Sequence, residues 1–294
     1  MRRITALFAA LPLLSSAFAA ETLPYYRDLY VTSVGKLAPR ASFMTYRDRA
    51  SAATLDFASS EYYSLLNGVW DFRYEEGDMV KEGTINVPGN WEVQGYGTAI
   101  YVNQPYEFLG GHPTPPALPE VIPVGTYRRT FEVPEGWAGR DVYLHIAGAK
   151  SGVYVYVNGR EVGYNEDSKN PAEYLLNPFL RGGENDLEIR IYRWSTSSYL
   201  ECQDFWRISG IERDVFLWSQ PHAKIWDFSV KSTLDSLYRD GIFECEVWLK
   251  NSSGELSGLD VSYSLVDAAG AEVASGDTSV TVDSLSERVR FSAV

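Results

Sequence analysis

The chain has 294 residues, 26 basic and 39 acidic side chains, a net charge of −13 and no run of Lys or Arg, so a polyanion such as nucleic acid is excluded as a partner. Its two cysteines, Cys202 and Cys245, and three histidines, His112, His145 and His222, lack the spacing of a disulfide framework or a zinc site. The length exceeds what one compact domain usually holds, which predicts two domains.

Arg2 and Arg3 precede a largely apolar stretch from Ile4 to Leu14, and Ala17-Phe18-Ala19 fits the Ala-x-Ala pattern of a signal-peptidase site. Residues 1–19 are therefore expected to be a cleaved export signal, which places the protein in the periplasm or outside the cell. The apolar stretch falls short of the roughly 20 residues that span a bilayer, so no membrane attachment is expected after cleavage. A polar, irregular arm follows over residues 20–60.

Residues 61–220 read as the first folded domain. Val69, Asp71 and Arg73 alternate with Trp70, Phe72 and Tyr74, which is strand periodicity. Between this strand and the next, Tyr127 to Val133, lies the segment Asn103 to Gly125, with six prolines and Gly110-Gly111. Proline removes backbone donors and fixes φ, so this segment is expected to be an ordered loop on a binding face. Val142, Leu144 and Ile146 alternate with Tyr143 and His145; Val153, Val155 and Val157 alternate with Tyr154 and Tyr156. Asn158-Gly159 then predicts a type I′ hairpin turn. Leu187, Ile189 and Ile191 form a further half-buried strand. Repeated strands without helical periodicity argue for a sandwich or jelly roll.

A boundary is expected near Ser219-Gln220-Pro221-His222. Residues 221–294 carry short strand signals at 225–230, 242–249, 261–266, 272–274, 280–282 and 288–294, separated by Gly, Ser and Asp turns. They resemble an immunoglobulin-like sandwich, which needs about seven strands in about 100 residues, so the last domain is expected to be truncated.

Two segments carry chemistry: Gly97 to Tyr106, and Arg193 to Val215, which packs acids, an amide, aromatics and arginines between two strands. Such a mixture suits carbohydrate, because aromatics support apolar sugar faces while carboxylates and amides bond the hydroxyls. The competing reading makes Trp206 a core residue and Arg207, Arg213 and Asp214 members of ion pairs. The residues alone leave both open.

Leu66-Asn67-Gly68-Val69-Trp70, Val87-Pro88-Gly89-Asn90-Trp91, Ile100-Tyr101-Val102-Asn103 and the stretch from Tyr199 to Val215 together resemble the N-terminal domains of the β-galactosidases of glycoside hydrolase family 2. Glu201-x-Gln203-Asp204-x-Trp206-x-x-x-Gly210 is the most specific part. The resemblance implies an all-β architecture, a jelly-roll sugar-binding sandwich followed by an immunoglobulin-like one, with the catalytic (β/α)8 barrel absent from this chain. It also implies that Asn103 and Asp204 reach a terminal β-D-galactoside, with Tyr101 and Trp206 in support, and that Asp204 supplies part of a sodium site. The magnesium site and both catalytic glutamates are expected only in the missing barrel, so the chain alone is expected to be inactive. The full-length form is open to homo-oligomerisation. A non-catalytic carbohydrate-binding sandwich is the alternative.

Overall fold

The computed structural model describes residues 23–102, 113–201, 204–283 and 287–293. They are almost entirely β, arranged as two sandwiches in chain order, and no (β/α) barrel occurs among them. The first sandwich packs a seven-stranded sheet against a four-stranded one. The larger sheet runs in the order 33–34, 160–165, 152–157, 184–192, 124–132, 68–76 and 79–87; the smaller runs 172–175, 141–146, 215–220 and 63–65.

The aromatic alternation in Gly68–Glu76 turns Trp70, Phe72 and Tyr74 into the core and leaves Val69 and Asp71 in water. Leu187, Ile189 and Ile191 in Glu184–Tyr192 face the same interior, with Val153, Val155 and Val157 beside them. Asn158 and Gly159 both take positive φ, +52° and +74°, and join Gly152–Val157 to Arg160–Asn165 as the type I′ turn requires. One strand of this sheet carries little sequence signal: Met79–Val87 is exposed at six of its first seven positions and lies at the edge.

Strand Asp141–Ile146 departs from simple half-burial. Both of its faces are covered, because the arm crosses the outside of the four-stranded sheet: Met44 packs with Tyr143, Phe216 and Trp218 in a second small core. Arg40 anchors that crossing. Its guanidinium donates to Glu173 Oε2 from Nε (3.1 Å) and Nη2 (2.6 Å), and it lies over the rings of Phe43, Trp218 and Trp226 at 4.6–5.2 Å. The other Glu173 oxygen accepts from His145 Nδ1 (2.8 Å) and Trp218 Nε1 (3.0 Å).

The second sandwich starts at Ala223–Leu234, one residue pair after the end of Val215–Gln220. It pairs 223–234, 241–251 and 287–293 in one sheet and 257–266 with 272–282 in the other. The two short strands expected at 272–274 and 280–282 are one continuous strand, Glu272–Val282. The polar run between them keeps its ladder with Ser257–Val266 because that face of the sheet is largely solvated. Trp226, Phe228 and Asp227 bind this sandwich to the arm, the last through the Ala41 amide at 2.8 Å. At the joint, Asp141 is held by Lys224, by His222 Nδ1 at 3.0 Å and by Ser252 Oγ at 2.5 Å.

A short three-stranded bridge closes one rim of the first sandwich: Gly210–Ile211 pairs with Gly89–Asn90 on one side and Ala149–Lys150 on the other. Gly210 has φ +121°, and a Cβ there would meet Gly89 O, Trp91 Cδ1 and Tyr127 Oη, each at 2.9 Å. Gly210→Ala is therefore expected to cost roughly 2–4 kcal/mol in urea denaturation, combining overpacking and backbone strain. Gly136→Ala, with nothing within 4 Å, should be close to neutral in the same assay.

Burial alone would raise the carboxyls of Glu173 and Asp141, but hydrogen bonds and cations around each hold both below their ordinary values of 4.5 and 3.8. A depressed carboxyl contributes stability that is present above its unfolded pKa and lost as pH falls through the folded one. Stability is thus expected to drop progressively below about pH 4.5. Glu173→Gln, which strands the Arg40 charge, should cost about 3–5 kcal/mol at neutral pH and flatten that acid dependence, as read from denaturation midpoints across pH.

Candidate functional site

From the rim closed by Gly210 a separate two-stranded ribbon projects, Ile100–Val102 paired with Phe205–Arg207. The register sets Trp206 directly opposite Tyr101 and Arg207 opposite Ile100. Because side chains alternate across a strand, this divides the ribbon into two faces. Tyr101 and Trp206 share the outer face, 54% and 53% exposed, with ring centroids 5.6 Å apart at 51°. Arg207 turns the other way and is 1% exposed.

Asp204 stands in the bend just before the ribbon's second strand and is exposed. Its Oδ1 accepts a hydrogen bond from Tyr101 Oη at 3.0 Å, which ties the two segments singled out in the sequence into one constellation. That hydrogen bond, and then the negative charge of Asp204, push the Tyr101 phenol above its ordinary pKa. Three of the four residues expected to contact sugar are thereby gathered at one place. The fourth, Asn103, lies outside the described residues, as do Cys202 and Gln203.

Trp206 is thus on the surface, and the reading that made it a core residue fails. Arg207 is buried. Asp214 accepts from Asn67 Nδ2 at 2.7 Å, and Arg213 donates to the carbonyls of Ala147 and Lys169, so both hold the rim together. Glu201 caps the Ser168 amide at 2.8 Å and its hydroxyl at 2.5 Å, while Glu212 pairs with Lys169. Both acids are thus held by neighbours on the rim. The described part of the proline-rich loop packs beside the ribbon's base, with Leu118 against Trp194 and Tyr199, whose hydroxyl donates to Ala117 O at 2.6 Å.

Of the residues that support the ribbon from below, Trp91 ends a quoted family motif and Ser209 lies within the Arg193 to Val215 segment, whereas Glu92 carried no sequence signal of its own. Trp91 is fully buried and donates from Nε1 to Tyr127 Oη at 2.6 Å. Its amide donates to Ser209 O at 2.9 Å, and Glu92 Oε2 accepts from the Ser209 amide at 2.9 Å. Burial pushes the Glu92 carboxyl above its ordinary range, against the lowering effect of that amide and of the Arg193 charge. As for a metal, Asp204 offers one hard carboxylate oxygen, which fits one position of an oxygen-ligated cation. No group of three or more His, Cys, Asp or Glu able to hold a metal occurs among the described residues.

Residues 60–221 match the sugar binding domain of the glycosyl hydrolases family 2. The beta-galactosidase of Priestia megaterium is 42% identical over 216 residues, covering 68% of this chain and 21% of that protein. The beta-galactosidase of Halalkalibacterium halodurans is 37% identical over 278 residues, covering 90% of this chain and 27% of that protein. The chain thus spans about a quarter of the length of these curated relatives. Among solved structures, a Bacteroides uniformis beta-glucuronidase aligns with a TM-score of 0.62 at 16% identity, over 79% of this chain and 27% of that one. A Bifidobacterium dentium beta-glucuronidase aligns at 0.53 and 19%, over 78% and 41%. Identities that low speak for the fold alone. The family domain, matched over more than half of the chain and carried by a sandwich of the same architecture, makes this chain a member of glycosyl hydrolase family 2.

Proposed function

We propose that the chain is the sugar-contacting part of an exported β-galactosidase, in which Asp204 accepts hydrogen bonds from the hydroxyls of a terminal β-linked galactose. The observation that carries this reading is the convergence of Asp204, Tyr101 and Trp206 on one exposed ribbon, from segments 103 residues apart. Asn103, directly after the ribbon's first strand, is the second contact. The aromatic pair borders the carboxylate, so an apolar sugar face can lie on a ring while its hydroxyls reach the acid. An anionic contact on a chain of net charge −13 favours a neutral galactoside over a uronic acid, whose carboxylate it would repel. Relatives named beta-galactosidase point the same way.

When bound, a sodium ion would add positive charge beside the sugar's hydroxyls, with Asp204 as one of its ligands. Retaining hydrolysis needs two carboxyl groups roughly 5–5.5 Å apart that flank one bond. The family resemblance assigns the acid and the nucleophile, with any magnesium, to a domain other than these two sandwiches, and Glu201 and Glu212 are held here by Ser168 and Lys169. A non-catalytic carbohydrate-binding module is the second reading, favoured by the exposed Tyr101–Trp206 pair.

Calorimetric titration of the purified chain separates the two. A partial site should give weak heat at roughly millimolar galactose, none with glucuronic acid, and none after Asp204→Ala, since a hydrogen bond to a charged group is worth about 1.5–3 kcal/mol. Saturation at micromolar sugar would favour the binding module. Nitrophenol release from a β-galactoside by the wild-type chain, abolished in Asp204→Ala, would overturn the assignment of the chemistry to another domain.

The link between the two strands can be checked without sugar. In Asp204→Asn the Tyr101 phenol should titrate at lower pH than in the wild type, because the charge and the carboxylate acceptor that raised it are gone. NMR or ultraviolet difference titration reads this directly. An unchanged Tyr101 would mean that the two residues do not meet in solution.

A further inference from the structure

We infer that Arg193 is the positioning residue of the sugar-contacting ribbon: its guanidinium bridges the two chain segments from which the ribbon rises and so sets where Tyr101 and Asp204 stand. Arg193 closes the strand Glu184–Tyr192 and is buried, with its amide fixed to Pro123 O at 2.9 Å. Its Nη2 donates to Thr98 O at 2.9 Å, two residues before the first ribbon strand. The same nitrogen donates to Arg207 O at 3.2 Å, the last residue of the second. One planar group therefore spans both roots, which side-chain contacts at the tip cannot do.

The surroundings are built for that group. Nη1 faces Glu92 Oε1 at 3.5 Å, and the other Glu92 oxygen holds the Ser209 amide, two residues beyond the ribbon. Gly97, at φ +74°, lets the chain pass: a Cβ there would come within 2.9 Å of Tyr74 Oη and 3.6 Å of Arg193 Nη1. Thr98, Arg207 and Ser209 are thus all referred to a single buried ion pair anchored on the rigid seven-stranded sheet. The geometry needs a fork rather than a point charge, since a lysine ammonium offers no planar array to serve two carbonyls and a carboxylate together. The bearing of this on sugar binding rests on Asp204 being the galactose contact; the mechanical claim does not.

Amide hydrogen exchange on the full chain tests it with three variants. Arg193→Met combined with Glu92→Gln removes both buried charges at similar volume. It is expected to leave the amides of Glu184–Tyr192 protected while those of Ile100–Val102 and Phe205–Arg207 exchange about tenfold faster or more. Arg193→Lys should keep the sheet protected and still leave the ribbon loose, whereas Arg193→Met alone should be the least stable of the three. Unchanged ribbon protection in the double variant, equal loss across ribbon and sheet, or full restoration by lysine would each overturn the inference. Failure of galactose to bind the wild type would remove the functional reading and leave the exchange result standing.

Discussion

Two strands of three residues cannot stand by themselves in water, because an isolated hairpin orders its backbone for too little burial. That constraint governs the candidate site of this molecule. The ribbon that carries Tyr101, Asp204 and Trp206 leaves both rings of its outer face about half exposed, so its position must be fixed at the root. The structure does this with Trp91 and Ser209 in the sandwich rim, and with the Glu92–Arg193 pair beneath. The bulky aromatic core serves the same end. Trp91, Phe72, Tyr74 and Tyr127 meet edge-on or tilted at 4.7–6.1 Å and make the floor stiff where the ribbon leaves it.

Buried charge recurs wherever two parts of the chain must keep a fixed relation. Glu173 ties the arm to the first sandwich, and Asp141 ties the first sandwich to the second. Such pairs add little net stability over apolar packing, since desolvation offsets much of their attraction. What they supply is direction: Glu173 takes four donor atoms from Arg40, His145 and Trp218, and only one placement of the arm satisfies them. The arm's covering of Tyr143, Phe216 and Trp218 follows from that placement.

Elements whose two faces differ in polarity were legible in the sequence. Gly68–Glu76, Glu184–Tyr192 and the hairpin at Asn158-Gly159 declare themselves through alternation or turn chemistry. Met79–Val87 does not, because an edge strand with both faces largely in water has no alternation to show. The strand Glu272–Val282 shows two separate strand signals in the sequence for a related reason, since its polar middle resembles a turn. Asp141–Ile146 looked half-buried, and only the arm, remote in sequence, explains why it is not.

Within the candidate site the exposed residues and Trp91 could be named from family motifs, whereas the supporting roles of Arg193 and Glu92 could not. Asp204 and Trp206 sit in a motif of short, fixed spacing. Arg193 and Glu92 act through carbonyls and an amide some 14 to 117 residues away, and backbone groups leave no trace of identity in a sequence. This asymmetry has a physical origin. A sugar hydroxyl is recognised by a particular side chain, so its partner is written into local composition; the support of a ribbon is recognised by geometry alone, and any segment that delivers a carbonyl to the right point will serve. The chemistry at the tip is therefore readable one residue at a time, while its placement belongs to the fold.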